Sequence, residues 1–382
     1  MKTQNSLPIP RLIAWEVTRR CALNCRHCRA SAQNIAYQHE LTLDECRRLL
    51  DAMTRFAPPP IIILTGGDPM LRGDIFEIIS YGRSLGLRMV IALCGQGLSR
   101  DIMTRLTSCG ILKASFSLDG SNAVTHDAFR RQDGSFEAVL RGMALAREIG
   151  LPFQVNSAIS TQNVAELPAI LDLAEQRGAD AFHPFLLVPT GNAKELLDLE
   201  LSPEAYEQTL LWIYQESLRR AILVKPTCAP HYARIMLQQS RNHPAPSAGQ
   251  GHPRGAQMTK GCLGGQGFAF ISHVGIVQIC GFLDAPCGDV RQADFDFKQI
   301  WDTSPMFLEI RNADGYHGKC GVCEYRHVCG GCRARAFNLT GDYLASEPFC
   351  AYQPSTKFIT QPGETNGTIY NGDCRGGGIV RK

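Results

Sequence analysis

The sequence lacks any long apolar run. The longest, around Ile61–Leu64, is far too short to cross a bilayer. The first residues, MKTQNSLPIPRLIAWEV, hold no apolar core segment and no small-residue cleavage site, so they do not read as a secretory signal. An excess of one charge is missing too. The 39 Lys and Arg stand against 36 Asp and Glu, and no basic run marks a polyanion site. These absences predict a cytoplasmic protein with no nucleic-acid partner and no membrane partner. No internal repeat of fixed period occurs. At 382 residues the chain is long for one domain and sufficient for two.

Cysteine is scarce only in the middle of the chain. Between Cys109 and Cys262 there is only Cys228, although the whole sequence holds 16 cysteines. Three sit together near the N-terminus, and most of the others lie between Cys262 and Cys350. In a reducing compartment such grouping points to metal rather than disulfides. Cys46, Cys94, Cys109 and Cys374 have no partner at metal spacing and read as free thiols.

From about residue 12 to 220 strand-like and helix-like segments alternate. LIAWEVT (12–18), IIILTGG (61–67), RMVIALCG (88–95), LKASFSLDG (112–120), FQVNSAIS (153–160) and AFHPFLLVP (181–189) are short and apolar, as strands are. Segments 42–56, 74–86, 99–110, 135–150, 163–178 and 202–220 between and after them have helical spacing and Ser, Pro or Gly punctuation. Six such units imply parallel strands with right-handed crossovers. Six rather than eight predicts an α/β fold of partial (β/α)6 barrel type with an open side. That barrel is expected over 1–220, followed by a linker and Pro/Gly-rich mobile loop over 221–258. A small Cys-rich domain that depends on metal to fold is expected over 259–352, and a disordered tail over 353–382.

The first strand runs into RRCALNCRHCRAS. Three thiolates, Cys21, Cys25 and Cys28, then lie on a strand-end loop, where parallel α/β folds carry their active sites. Three thiolates ligate three irons of a four-iron cluster and leave the fourth open, as a catalytic metal requires. A zinc knuckle completed by His27 is the alternative, but ligands two residues apart strain a closed site.

C-x3-C-x2-C in this position resembles the signature of the radical S-adenosylmethionine (SAM) superfamily. The resemblance implies a SAM-cleaving [4Fe-4S] cluster whose open iron chelates SAM. It implies a 5′-deoxyadenosyl radical that takes hydrogen from an unactivated carbon. Gly66, Gly67, Asp68 and Pro69 look like the family motif that meets the methionine amino group, with Asp68 in place of the usual Glu. Ser117 and Asp119 resemble its SAM-binding strand end, Asn156 a ribose or carboxylate contact, and Pro189–Gly191 an adenine-side loop.

The C-terminal pattern of Cys262, Gly275, Cys280, Cys320, Cys323, Cys329, Cys332 and Cys350 resembles the SPASM extension of the same superfamily. That implies an auxiliary [4Fe-4S] cluster on Cys320, Cys323, Cys329 and Cys350. Cys262, Cys280 and Cys332 match positions of a second cluster. Two residues, rather than the family's three, separate Cys329 from Cys332, and Cys287 is a further candidate. At least one auxiliary cluster is expected and a second is left open. A zinc ribbon on the same cysteines is the alternative, but such ribbons space their pairs further apart.

The stretches LIAWEVTRRCALNCRHCRASA, HDAFR, FQVNSAI, HPFLLVPTG, TCAPHYARI and CGVCEYRHVCGGCRARAFNLTGDYL are similar to the radical heme b synthases of the siroheme-dependent heme pathway, over about 11–353. The implied reaction is oxidative decarboxylation of two propionates of iron-coproporphyrin III to vinyl groups, with a low-potential donor such as flavodoxin or ferredoxin. So anionic a substrate needs cationic anchors. Candidates are Arg130, Arg131, His126, Lys225, His231, Arg333 and Arg335. Cys228 and His231 could ligate the porphyrin iron or a cluster, or be structural, and His183 could face the active side or the core. The competing functions are a radical SAM maturase of a peptide or protein, a related tetrapyrrole side-chain enzyme, and a non-catalytic iron–sulfur scaffold. The twenty residues before Cys21 hold no helix–strand module of the kind that binds a leader peptide, which lowers the maturase reading.

Overall fold

The computed structural model describes residues 7–242 and 260–355. Most of the expected mobile loop, most of the expected disordered tail and Cys374 lie outside the described residues.

Six strand–helix units open the fold. They comprise β1 (Leu12–Thr18), α1 (Leu43–Met53), β2 (Ile61–Gly66), α2 (Ile75–Ser84), β3 (Arg88–Leu93) and α3 (Arg100–Cys109). Next come β4 (Ile111–Ser117), α4 (Ala123–Arg130), α5 (Ser135–Glu148), β5 (Phe153–Ile159), α6 (Leu167–Gln176), β6 (Ala181–Leu186) and α7 (Pro203–Arg219). Neighbouring strands pair in parallel from β1 through β6. Thr42 starts α1 with a capping box, its side chain on the Glu45 amide and the Glu45 carboxylate on the Thr42 amide. Within these units the unanticipated helix is α4, whose polar sequence hides a start signal: Asn122 caps it by accepting from the Thr125 amide.

Strand burial alternates. Leu64, Met89, Ile91, Ala114, Phe116 and Val155 are buried and join helix residues such as Leu49, Ile78, Met103 and Val139 in one core. The residues between them, including Thr65, Ala92, Ser115, Ser117, Gln154, Asn156 and His183, are less buried and line the concave face. Register places Ser117 beside Asn156 and Asn156 beside His183, so a polar row crosses three strands, at the end of β4 and midway along β5 and β6.

The stretch from 221, expected as linker, instead begins with β7 (Leu223–Val224), parallel to β6, and α8 (His231–Asn242), packed on α7. The short apolar run ILV extends the sheet, and Tyr232, Ala233 and Ile235 supply a buried face.

The Cys-rich region continues the same sheet. After β8 (Phe268–Ile271), β9 (Ile276–Gln278) and β10 (Gly288–Asp289), the strand order is β10-β9-β8-β1-β2-β3-β4-β5-β6-β7. β8 pairs parallel with β1, and β9 is antiparallel to β8 and β10. Four short helices complete the region: α9 (Phe297–Thr303), α10 (Pro305–Arg311), α11 (Gly318–Val322) and α12 (Arg333–Thr340). Phe297, Trp301, Phe307 and Ile310 enter the common core, so apolar burial as well as metal can hold this region.

A buried ion cluster joins the two halves. Glu16 on β1 is wholly buried, with Arg29 at 2.9 Å, Arg19 at 3.1 Å and His273 of the β8–β9 turn at 2.7 Å. Burial opposes its charge, but the cations prevail and hold its pKa at about 2. A second tie runs from Glu45 to Arg291 at 2.6 Å.

Candidate metal centres and active site

Cys21, Cys25 and Cys28 follow β1 and pack as one group with Leu23, Ala30, Ala32 and Cys94. The loop closes on itself through the Cys21 amide donating to the Gln33 carbonyl at 3.0 Å and the Cys28 amide to the Cys25 carbonyl at 3.2 Å. Each thiol also accepts a donor. The Leu23 amide reaches Cys21 Sγ at 3.4 Å, the Ala32 amide reaches Cys28 Sγ at 3.4 Å, and Arg130 Nη1 reaches Cys25 Sγ at 3.7 Å. Burial pushes the Cys21 thiol up to about 12 and raises Cys25 as well, against the pull of Arg130. Thiols so buried ionise only with a metal, which removes that penalty.

Gly66 and Gly67 serve close approach. A Cβ on Gly66 would lie 2.3 Å from the Thr18 carbonyl oxygen, and one on Gly67 2.4 Å from those of Arg19 and Arg20. The β2 exit therefore presses directly on the cysteine loop. Asp68 is buried, caps the turn at Pro69 by accepting from the Met70 amide at 3.0 Å, and receives Cys94 Sγ at 3.1 Å. Burial is the chief cause of its raised pKa. Cys94, read from sequence as an unremarkable free thiol, thus stands beside the cysteine triplet. Its place just past the end of β3 was the available signal. On the opposite side Gly191, at φ +58°, brings its Cα within reach of the Cys28 and Arg29 carbonyls, while the Asn192 amide donates to the Cys28 carbonyl at 2.9 Å.

Asp119 differs from the expected SAM contact. Its Oδ1 accepts from the Ala158 amide at 2.7 Å, and its Oδ2 pairs with Arg130 at 2.6 Å, with His27 at 3.6 Å. The carboxylate is buried and spent on Arg130, which in turn reaches Cys25. His27 stacks on Phe129 at 4.4 Å, and burial drives its pKa down to about 4, so it packs beside the loop as a neutral ring. Ser117 and Asn156 do face the concave side, where Asn156 accepts from Gln154 at 3.0 Å.

Most of the proposed anchors are already occupied. His126 accepts from the Asp119 amide at 3.0 Å. Arg335 is buried on the carbonyls of Leu186, Leu187 and Cys228 and on the Tyr206 hydroxyl. Arg333 grips the carbonyls of Tyr343 and Ala345 and donates to Cys320 Sγ at 3.4 Å. Arg131 is exposed as the left-handed cap of α4. Lys225 is different. It continues β7 beside His183, whose Nδ1 lies 3.1 Å from the Lys225 carbonyl. Burial lowers the Lys225 pKa, and no charged partner among the described residues opposes it.

Cys320, Cys323, Cys329 and Cys350 line one cavity together with His231 and Arg234. Three of the thiols accept amides at 3.3–3.4 Å: Glu347 N on Cys320, Tyr325 N on Cys323 and Gly331 N on Cys329. Gly331 turns left-handed at φ +63° to do so. Both ring nitrogens of buried His231 and Nε of buried Arg234 lack partners among the described residues. Orphaned donors around four thiols suit a group rich in sulfide acceptors. Among the described residues no three His, Cys, Asp or Glu converge closely enough for a single metal ion. Cys287 is not part of either group, since its thiol lies 3.6 Å from Met306 Sδ. Among the described residues no helix is long and apolar enough to cross a membrane.

Residues 15–174 match the family described as the Radical SAM superfamily. The chain is 45% identical over 348 residues to an AdoMet-dependent heme synthase of Methanosarcina barkeri, covering 91% of this chain and 98% of that one. It is 45% identical over 351 residues to an AdoMet-dependent heme synthase of Nitratidesulfovibrio vulgaris, covering 92% and 95%. Among solved structures, Streptococcus suis SuiB bound to S-adenosylmethionine shares the fold with a TM-score of 0.67 at 16% identity, covering 94% of this chain and 79% of that one.

Proposed function

The chain belongs to the radical SAM superfamily, and from that premise we propose that it converts iron-coproporphyrin III to heme b by oxidative decarboxylation of two propionates. The reading is carried by the likeness to two heme synthases along nearly their full length. When bound, the cluster and SAM supply the 5′-deoxyadenosyl radical that removes hydrogen from the propionate side chain.

The residues divide the work. Cys21, Cys25 and Cys28 hold the SAM-cleaving cluster on its loop. Arg130 stabilises the Cys25 thiolate, and Asp119 keeps Arg130 charged and aimed. Gly66, Gly67, Asp68 and Pro69 form the wall for the methionine end of SAM, and Ser117 and Asn156 face its ribose. Lys225, with no acidic partner among the described residues, receives a propionate carboxylate in the lumen next to His183. Cys320, Cys323, Cys329 and Cys350 would hold an auxiliary [4Fe-4S] cluster, which would supply an electron acceptor for the oxidative decarboxylation. A low-potential carrier of flavodoxin or ferredoxin type feeds the SAM-cleaving cluster.

The test is anaerobic. Reconstituted protein, SAM, a strong reductant and iron-coproporphyrin III are combined and the products followed by mass spectrometry. Stepwise loss of two carboxyl groups with formation of 5′-deoxyadenosine is expected. Deoxyadenosine with an unchanged porphyrin would overturn the substrate and turn attention to peptides.

A further inference from the structure

We propose that His231 and Arg234 donate hydrogen bonds to the inorganic sulfides of the cluster in the Cys320 cavity, and so raise its reduction potential. The inference rests on the auxiliary-cluster part of the function above and is independent of the substrate.

The two side chains reach the cavity from outside the Cys-rich region. The chain leaves β7, passes Pro230 and enters α8, where His231 is the first residue and Arg234 lies three further on. That spacing puts both on one face of the helix. Both line the cavity together with Cys320, Cys323, Cys329 and Cys350. They are 1% and 2% exposed, so bulk water does not serve them. Yet neither ring nitrogen of His231, nor Nε of Arg234, has a partner among the described residues.

Other contacts hold each side chain in place. The His231 ring meets Tyr206 edge-on, with centroids 5.3 Å apart. Arg234 Nη1 donates to Glu207 at 2.9 Å and to Gln238 at 2.6 Å, and Nη2 donates to Glu207 at 2.5 Å. The guanidinium lies 4.8 Å from the centre of the Tyr352 ring, two residues past Cys350. The outer nitrogens are therefore spent, and Nε–H is left over. A buried donor without an acceptor is costly, and native proteins seldom leave one unpaired.

The thiol sulfurs are not the missing acceptors. The amides of Glu347, Tyr325 and Gly331 already serve Cys320, Cys323 and Cys329, and Arg333 adds a second donor to Cys320. The acceptors that a four-iron group brings beyond its thiolates are its sulfides, and these match the donors that remain. Burial holds the His231 pKa at about 4, so the ring is neutral and offers one N–H. Arg234 keeps its charge. Both donors favour the reduced cluster, which carries one more negative charge than the oxidised one. The step they tune is the gain of one electron, with no bond or proton exchanged.

The test uses the full chain carrying Cys21→Ala, Cys25→Ala and Cys28→Ala, so that only auxiliary iron remains. Its electron paramagnetic resonance (EPR) signals are titrated anaerobically with dithionite in the presence of redox mediators. The signal that Cys329→Ala removes belongs to the cavity. His231→Phe keeps a ring against Tyr206 and removes both nitrogens. Arg234→Lys keeps a cation for Glu207 and removes Nε–H. Each should lower the midpoint potential of the cavity signal by about 59 mV, a tenfold change in the ratio of oxidised to reduced cluster at a fixed potential. Iron per chain should not change. His231→Gln, which restores an N–H donor, should recover part of the shift. Arg241→Gln, at the exposed end of α8, should leave the midpoint in place. An unmoved midpoint in both His231→Phe and Arg234→Lys would overturn the proposal and leave the two side chains a packing role. If His231→Phe loses iron, Arg234→Lys alone decides by the same criterion. A Cys329→Ala variant that loses neither iron nor signal would overturn the cluster in the cavity and this inference with it, a failure distinct from an unmoved midpoint.

Discussion

The two cysteine regions gather their thiols by opposite routes. The N-terminal thiols come from one loop of eight residues, Cys21 to Cys28, set on the end of a strand and pressed by the glycines of the next. The Cys320 cavity gathers thiols over thirty-one residues, Cys320 to Cys350, from a short helix, left-handed glycine turns and an extended tail. The nearest further thiol to the first group, Cys94, is turned onto Asp68, so that loop offers three thiolates. The cavity offers four. On the proposed function, three thiolates would leave a metal open to a ligand, and four would only hold it.

Replacing one thiol in each region would break this contrast if it is wrong. Cys25→Ala should abolish 5′-deoxyadenosine formation while the auxiliary iron remains. Cys329→Ala should leave SAM cleavage within about tenfold and remove most heme formation, because hydrogen abstraction then has no electron exit. Anaerobic product analysis with iron counting checks both. Equal loss of SAM cleavage in the two variants would mean that the regions do not divide the chemistry as proposed.

That same locality decided what the sequence could disclose. The loop after β1 was legible because strand, thiols and glycines lie close in the chain and each obeys a short-range rule. The six strands fell within a few residues of their observed ends for the same reason. Long-range facts were hidden. Nothing in FAFI says that it will pair with LIAW some 250 residues earlier, so the Cys-rich region was expected as a separate domain rather than as an extension of the sheet. Arg333 and Arg335 were candidate anchors because an arginine in a Cys-rich loop looks available. Only packing reveals that carbonyls and a cysteine sulfur already occupy them. The polar segment carrying Arg130 and His126 concealed a helix for want of an apolar stripe.

The joint between the regions is the next place to press. Glu16 has a folded pKa of about 2 against an ordinary 4.5. A depressed carboxyl stabilises the fold above its unfolded pKa, and the contribution fades as pH falls from about 4.5 toward 2. The shift corresponds to on the order of 3 kcal/mol, and the residue is fully buried, so solvent discounts little of it. Glu16→Gln leaves Arg29 without its carboxylate and should cost about 3–5 kcal/mol at pH 7. It should also flatten the acid dependence within that window. Urea midpoints at pH 7 and toward pH 4 check both signs. A variant as stable as the parent would show that the two regions do not depend on this contact.

The smallest expected effect sharpens the comparison inside the barrel itself. Arg130, Arg333 and Arg335 have partners and serve the fold or a cysteine, whereas Lys225 stands half-buried on the concave side with no acidic partner among the described residues. An uncompensated cation at such a depth is costly unless an anion arrives with the ligand. Lys225→Gln should therefore raise KM for the porphyrin about tenfold, roughly 1.4 kcal/mol, with kcat and the KM for SAM little changed. Lys225→Arg should recover part of the loss, because charge rather than shape is what the carboxylate needs. Exposed Arg131→Gln, on the outer end of α4, should change KM by less than about twofold. If Lys225→Gln instead lowers kcat with KM unmoved, Lys225 acts on the reacting side chain rather than on a distant propionate, and the porphyrin lies deeper in the lumen than an anchoring role requires.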